Sequence, residues 1–273
     1  MTPPSVDDIV RVLRAAGCVF AEDEAALLLE AAGSADELER LVARRAGGEP
    51  LEVVLGWALF CGLRIRIDPG VFVPRVRTEL LVEEAARLVG LVRLVESSDD
   101  PVVVLDLCCG SGALGVALAD RLDVPVDLVA ADIEPAAVAC ARRNVEPIGG
   151  RVFEGDLDEP LPPGLRGRVE VLLANVPYVP SDAIATMPPE ARLHEPRVTL
   201  DGGADGLAVL RRVAAIAPRW LAPGGHLLVE TSAAQAAGAV AAFEAAGLVA
   251  RVAVDDDREA TAVVGTLLVG AAR

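Results

Sequence analysis

The sequence predicts a doubly wound α/β fold: a seven-stranded, mostly parallel sheet, preceded by a small N-terminal helical domain and a β-hairpin linker. Three observations carry that expectation. From Val102 onward, short apolar runs alternate with helical stretches, and strands apolar at nearly every position must be covered on both faces. The first ~50 residues instead show apolar residues at helical spacing between capping residues. Between the two regions lies strict alternation around a turn sequence. The boundaries expected are a helical domain over 1–56, a hairpin linker over 57–74 and the α/β domain over 75–273.

Taken in order, Ser5 caps a first helix that ends near Gly17. Glu22 to Ala32 carries Ala25, Leu28 and Leu29 on one face and stops at Gly33. Ser34 with Glu37 reads as a capping box for a third helix, closed by Gly47-Gly48, and Glu49-Pro50 marks a break. Leu63-Arg64-Ile65-Arg66-Ile67, then Asp68-Pro69-Gly70, then Val71-Phe72-Val73 read as the two strands and turn of a hairpin, with Arg64 and Arg66 on a solvated face. Pro74 ends it, Thr78 to Val92 is an amphipathic helix, and Ser97-Ser98-Asp99-Asp100-Pro101 is a surface link. The strands then expected are Val102–Leu107, Val126–Ala131, Arg151–Glu154, Val169–Ala174, His226–Glu230, Ala250–Val254 and Ala262–Leu268. Helices over Gly112–Leu122, Pro135–Asn144, Gly206–Leu221 and Ala233–Ala246 fill the gaps. Only Asp255-Asp256-Asp257-Arg258-Glu259 separates the last two strands, which suits an antiparallel return at the sheet's edge.

Composition bounds the partners. The 273 residues carry a net charge of −16, and all 25 basic residues are Arg. Such an acidic chain is a poor fit to nonspecific nucleic-acid or anionic-membrane binding, where basic patches supply the affinity. The first residues have neither a basic start nor an apolar run, so no signal peptide is expected, and no apolar stretch is long enough to span a bilayer. Cys18, Cys61, Cys108, Cys109 and Cys140 form no CxxC pattern and leave one unpaired. Neither a disulfide framework nor a metal site is expected, and a cytoplasmic protein, monomeric, fits best.

In open α/β sheets, ligands bind beyond the carboxyl ends of the strands. Asp106 closes the first strand, and the turn Asp106-Leu107-Cys108-Cys109-Gly110-Ser111-Gly112 follows, its glycines letting a backbone approach a ligand closely. Asp132, about 20 residues further, is placed to accept both hydroxyls of a ribose. Asp156 follows the third strand and Asn175 closes the fourth. Gly110-Ser111-Gly112-Ala113-Leu114-Gly115 also spells a dinucleotide fingerprint. Yet an acid beside the turn repels a diphosphate and suits the ammonium group of S-adenosyl-L-methionine. A Gly-rich turn holding no ligand is the third reading. The cofactor residues expected are Asp106, Cys108, Gly110 and Gly112, Asp132 with Ile133, Asp156 with Leu157, and Asn175.

Asn175-Val176-Pro177-Tyr178 can grip a planar NH2 group. The Asn175 side-chain carbonyl and the Val176 backbone carbonyl offer two acceptors for two hydrogens, and Tyr178 offers a ring to stack on. Asn and Pro also make ordinary strand-ending turns, and Tyr178 also reads as core packing. His226 begins a strand and reads as structural; His194 lies in a loop that either lines the site or faces solvent.

These motifs together resemble the HemK-type protein-(glutamine-N5) methyltransferases over nearly the whole chain. Val73-Pro74-Arg75-Val76-Arg77-Thr78-Glu79 is similar to the family's IPRPET segment, with Val76-Arg77 where Pro and Glu normally follow the Arg. The Asp106–Gly112 turn resembles its DxGxGSG loop, with Cys108 and Cys109 as departures. Glu195-Pro196 and Asp201-Gly202-Gly203-Ala204-Asp205-Gly206-Leu207 resemble its EP and DGL segments, and Asn175-Val176-Pro177-Tyr178 resembles NPPY with Val for the first Pro. The resemblance implies a class I, Rossmann-like methyltransferase fold, S-adenosyl-L-methionine as cofactor, and a helical domain that recognises substrate. It implies methylation of a glutamine side chain in a protein, typically the GGQ loop of a peptide chain release factor. Asn175, Val176, Pro177 and Tyr178 become the catalytic residues, and Arg75, Glu79, Asn175, Tyr178, Glu195 and Pro196 the substrate-binding ones. Arg75 and Glu79 read equally as a surface pair. Two further functions stay open: an adenine-N6 nucleic-acid methyltransferase, which shares such a clamp but calls for a basic groove, and a catalytically silent paralogue that binds a partner.

Overall fold

A computed structural model describes residues 5–95, 100–187, 192, 194–268 and 270. Four helices come first: α1 (Val6–Ala15), α2 (Ala21–Ala31), α3 (Ala35–Ala46) and α4 (Leu51–Leu55). Ser5 accepts the Asp8 N–H while Asp8 reaches back, a complete capping box. At α3 the box is incomplete: Ser34 accepts the Glu37 N–H at 3.2 Å, but the Glu37 carboxylate takes the Gly33 N–H instead of that of Ser34. Ile9, Leu13, Leu28, Leu38, Val42 and Val54 give these helices a small core of their own.

The hairpin differs from the expected one. Strand β2 (Leu63–Arg66) pairs with β1 (Trp57–Phe60), Phe60 opposite Leu63, across a two-residue turn in which Cys61 and Gly62 both take positive φ. That is a type I′ geometry carrying Cys where Asn or Asp usually sits, on a strand too uniformly apolar to show alternation. Asp68-Pro69-Gly70 does turn, the Val71 N–H reaching the Asp68 carbonyl at 3.2 Å, but Val71–Val73 pairs with no strand among the described residues. Val71 and Val73 are buried, and this stretch runs over the end of the main sheet.

Helix α5 (Glu79–Val95) leads to the sheet: β3 (Val102–Leu107), β4 (Val126–Asp132), β5 (Arg151–Glu154), β6 (Val169–Ala174), β7 (Leu221–Thr231), β8 (Val249–Asp255) and β9 (Ala260–Thr266). Of the expected surface link, residues 97–99 lie outside the described residues. The strand order is β5-β4-β3-β6-β7-β9-β8, parallel except for β9, which is antiparallel to both neighbours. The last hairpin therefore forms, with β8 as the outer edge and β9 inserted inside it. Alternate residues of β3 serve two cores. Val102 and Val104 face α5, α6 (Ala113–Arg121) and α7 (Pro135–Val145). Val103, Leu105 and Leu107 face α8 (Ala208–Trp220) and α9 (Ala236–Ala245). Chain order reverses between β3 and β6, and the crevice at their carboxyl ends is where the site lies. Among the described residues no helix is long and apolar enough to cross a membrane.

Candidate active site

A cavity of about 250 Å³ opens at that crevice. The loop after β3 forms one wall. Cys108 and Gly110 both take positive φ, and the Gly112 N–H closes the turn on the Cys109 carbonyl at 2.7 Å. Asp132, ending β4, organises the same loop: its Oδ2 accepts the Gly110 N–H at 2.8 Å and its Oδ1 the Glu134 N–H at 2.9 Å. A carboxylate has about four acceptor sites, so two bonds to backbone leave capacity for hydroxyl groups in the cavity. Burial raises the Asp132 pKa above its ordinary value, opposed by those backbone N–H groups.

Cys108, Gly110, Asp132, Ile133, Asp156, Leu157, Asn175, Val176, Pro177, Tyr178, Arg75 and Glu195 all line this cavity. Residues up to 120 positions apart in the chain are thus brought together. Arg75 donates to Glu195, whose carboxylate is buried, and its guanidinium lies 5.2 Å from the Phe72 ring centroid. Asp156 accepts from Arg212 of α8 at 2.8 Å. The Asn175 side chain makes no hydrogen bond among the described residues, so its amide is available to a ligand.

Four of the expected site residues are elsewhere. Asp106 is fully buried under the loop, with Oδ2 accepting the Gly115 N–H at 3.0 Å; it supports the turn and is absent from the cavity lining. Gly112 starts α6 with φ +78°, and a Cβ there would come within 2.7 Å of Val145 Cγ2, so it is needed for packing. Glu79 points away, accepting the Cys61 N–H at 2.8 Å and lying 3.6 Å from Arg258; it ties the hairpin to the sheet domain. Pro196 is outside the lining, although its neighbour Glu195 is in it. His226 bonds Thr266 across β7 and β9 at 2.9 Å, a sheet contact.

Arg77, Glu230 and Arg212 carry no expectation from sequence, yet Arg77 and Arg212 line the cavity and Glu230 bonds the clamp. Tyr178 donates to Glu230 Oε1 at 2.9 Å and accepts from Arg77 Nη2 at 2.7 Å. Only the departure at Arg77 from the PRPET pattern could have drawn notice to any of them.

The cavity suits S-adenosyl-L-methionine on the structure's own terms. At Gly110 a Cβ would meet nothing within 4 Å, so the loop leaves open space where backbone meets the cavity. Asp132 keeps acceptor capacity toward the cavity, Asp156 and Leu157 border the next stretch of wall, and the three arginines of the lining, Arg75, Arg77 and Arg212, are each already paired with a carboxylate, Glu195, Glu230 and Asp156.

A strand order of this kind, with an acid ending the second strand and a clamp after the fourth, defines a class I S-adenosylmethionine-dependent methyltransferase. Residues 104–192 match the family model described as a methyltransferase domain. A release factor glutamine methyltransferase of Geobacter sulfurreducens is 42% identical over 209 residues, covering 76% of this chain and 69% of that protein. A protein of Streptomyces pristinaespiralis named 4-amino-L-phenylalanine/4-methylamino-L-phenylalanine methyltransferase is 39% identical over 207 residues, again 76% and 69%. In structure, the ribosomal protein L11 methylase of Lactobacillus delbrueckii subsp. bulgaricus superposes with a TM-score of 0.50 at 15% identity, covering 75% of this chain and 84% of that one, a likeness of fold. The chain belongs to the release factor glutamine methyltransferase family, and it is an N-methyltransferase.

Proposed function

We propose that this chain transfers a methyl group from S-adenosyl-L-methionine to the side-chain nitrogen of a glutamine in a protein, that of the GGQ loop of a peptide chain release factor. The observation that carries the reading is the clamp sequence itself: Asn175 with an unengaged amide, Val176 and Tyr178 line the same cavity as the β3 loop and Asp132. The names of the relatives agree with it. We further assign the helices of residues 1–56 to recognition of the protein substrate. A cytoplasmic setting accords with five unbridged cysteines.

The cofactor, when bound, supplies an electrophilic methyl on a sulfonium centre. What the protein must do is make a poor nucleophile act. An amide nitrogen shares its lone pair with the carbonyl, the resonance behind the ~18–20 kcal/mol barrier to peptide rotation. Asn175 Oδ1 and the Val176 carbonyl accept its two hydrogens, fix the nitrogen and favour positive charge developing on it. Alignment alone supplies up to ~7–11 kcal/mol in the best intramolecular cases. The N-methylated amide then sheds its extra proton to water without a strong base, and neither histidine is needed near the reacting nitrogen.

The test is transfer of labelled methyl to release factors of the same cell, with the label mapped by mass spectrometry. Asn175→Ala removes one acceptor and should lower turnover on the order of 10²–10³-fold with cofactor affinity within about twofold. No labelling of any GGQ glutamine by the wild type would overturn the reading. The arylamine acceptor in one relative's name makes 4-amino-L-phenylalanine the control substrate, and the Phe72 and Tyr178 rings on the cavity wall favour that second acceptor class.

A further inference from the structure

Three residues far apart in sequence meet behind the clamp. Glu230, near the end of β7, is 3% exposed, and its Oε1 accepts both the Tyr178 hydroxyl at 2.9 Å and Arg77 Nε at 3.1 Å. Arg77 spans the two: its Nη2 donates to the same Tyr178 oxygen at 2.7 Å, closing a three-membered ring of hydrogen bonds. The backbone of Tyr178 is held as well, its carbonyl accepting Gln235 Nε2 at 2.9 Å. Tyr178 is therefore fixed at both ends while lining the cavity beside Asn175.

A carboxylate this buried is costly unless paired, and Glu230 finds its pair in Arg77, 153 positions away in the chain. The Arg77 side chain is 45% exposed while Glu230 is buried, and the two hold the Tyr178 hydroxyl from both sides. Arg77 reaches into the cavity lining, whereas the adjacent Glu79 turns away to Cys61 and Arg258.

We propose that Arg77 and Glu230 are positioning residues for methyl transfer: they lock Tyr178 as the wall against which the acceptor nitrogen is aligned. The inference rests on the proposed methyl transfer at this clamp. A ring displaced by about 1 Å misaligns the acceptor, and errors of that size cost up to about 10²-fold in rate.

Tyr178 is the only tyrosine in the chain, which gives the test a readout independent of turnover. Protein labelled with [13Cζ]tyrosine shows one phenol resonance. In Arg77→Ala and Glu230→Gln that resonance should move, while affinity for S-adenosylhomocysteine stays within about twofold. Turnover on a GGQ release factor should fall ~10–100-fold with KM little changed, and Arg77→Lys, which keeps one donor, should recover part of it. A moved resonance with unaltered turnover would make the network purely structural and overturn the proposal. An unmoved resonance overturns it equally, since the contacts then do not hold the ring. A wild type inert on release factors sinks the glutamine assignment instead, and the same variants are then compared on 4-amino-L-phenylalanine, where an unchanged rate again overturns the positioning role.

Discussion

Asp106 serves a site that it does not line. Its Oδ2 holds the Gly115 N–H, its Oδ1 has no hydrogen-bond partner among the described residues, and burial pushes its pKa from 3.8 up to about 7. The folded protein therefore binds this proton more tightly than the unfolded chain does. The contribution of Asp106 to stability is greatest below about pH 4 and declines as the pH rises through about 7. The span from 3.8 to about 7 bounds that loss at about 4 kcal/mol. Asp106→Asn keeps an acceptor for Gly115 and cannot ionise, so urea denaturation should show the variant gaining on the wild type between pH 4.5 and 8. Parallel pH profiles for the two proteins would refute the assignment. Residues such as Asn175 and Asp132 are legible in sequence because each closes a strand in a recognisable local pattern. Arg77 and Glu230 are not, because their partner Tyr178 lies 101 residues from one and 52 from the other, and no local spacing encodes that meeting.

At the scale of elements, the loop before α8 shows how tightly the clamp is braced. Gly206 has φ +73°, and a Cβ on it would run into Gln235 Nε2 and the Tyr178 carbonyl. A backbone carbonyl cannot swing aside, so Gly206→Ala combines left-handed strain with a steric block. It should destabilise the protein by about 2–4 kcal/mol, read as a lower denaturation midpoint, and should lower methyl transfer through the displaced Tyr178. An alanine variant with wild-type midpoint and rate would show that this loop yields. Elements with strong local signals are the ones sequence reveals: β3, β4, β5 and β6 lie within a residue of expectation because buried parallel strands read as apolar runs. Strand β7 starts at Leu221, five residues before the expected His226, because Pro223-Gly224-Gly225 reads as a turn although it lies inside the strand. The hairpin failed to show for a third reason: Cys61-Gly62 adopts a turn that sequence reserves for Asn-Gly, while Asp68-Pro69-Gly70 makes a turn between segments that do not pair.

For the molecule as a whole, the question is how a cavity suited to one amide meets a large protein. The helices α1 to α4 bury their own apolar residues, yet Val19 and Phe20, at the junction of α1 and α2, stay 82% and 68% exposed. Interface energy concentrates in few aromatic and aliphatic residues, so these two side chains are where the proposed recognition of the protein substrate by residues 1–56 is tested. Replacing both by serine removes no buried contact, so thermal stability should change by no more than about 0.5 kcal/mol. If residues 1–56 recognise the protein substrate, KM for the release factor should rise about tenfold at constant kcat, a loss of ~1.4 kcal/mol in binding. Transfer to a Gly-Gly-Gln tripeptide, too short to reach these helices, should be unaffected. That difference separates docking from chemistry, because a defect propagated through the fold to Asn175 would slow both substrates alike. An unchanged KM for the intact release factor would move recognition to the cavity mouth, where Phe72 and Val198 line the cavity.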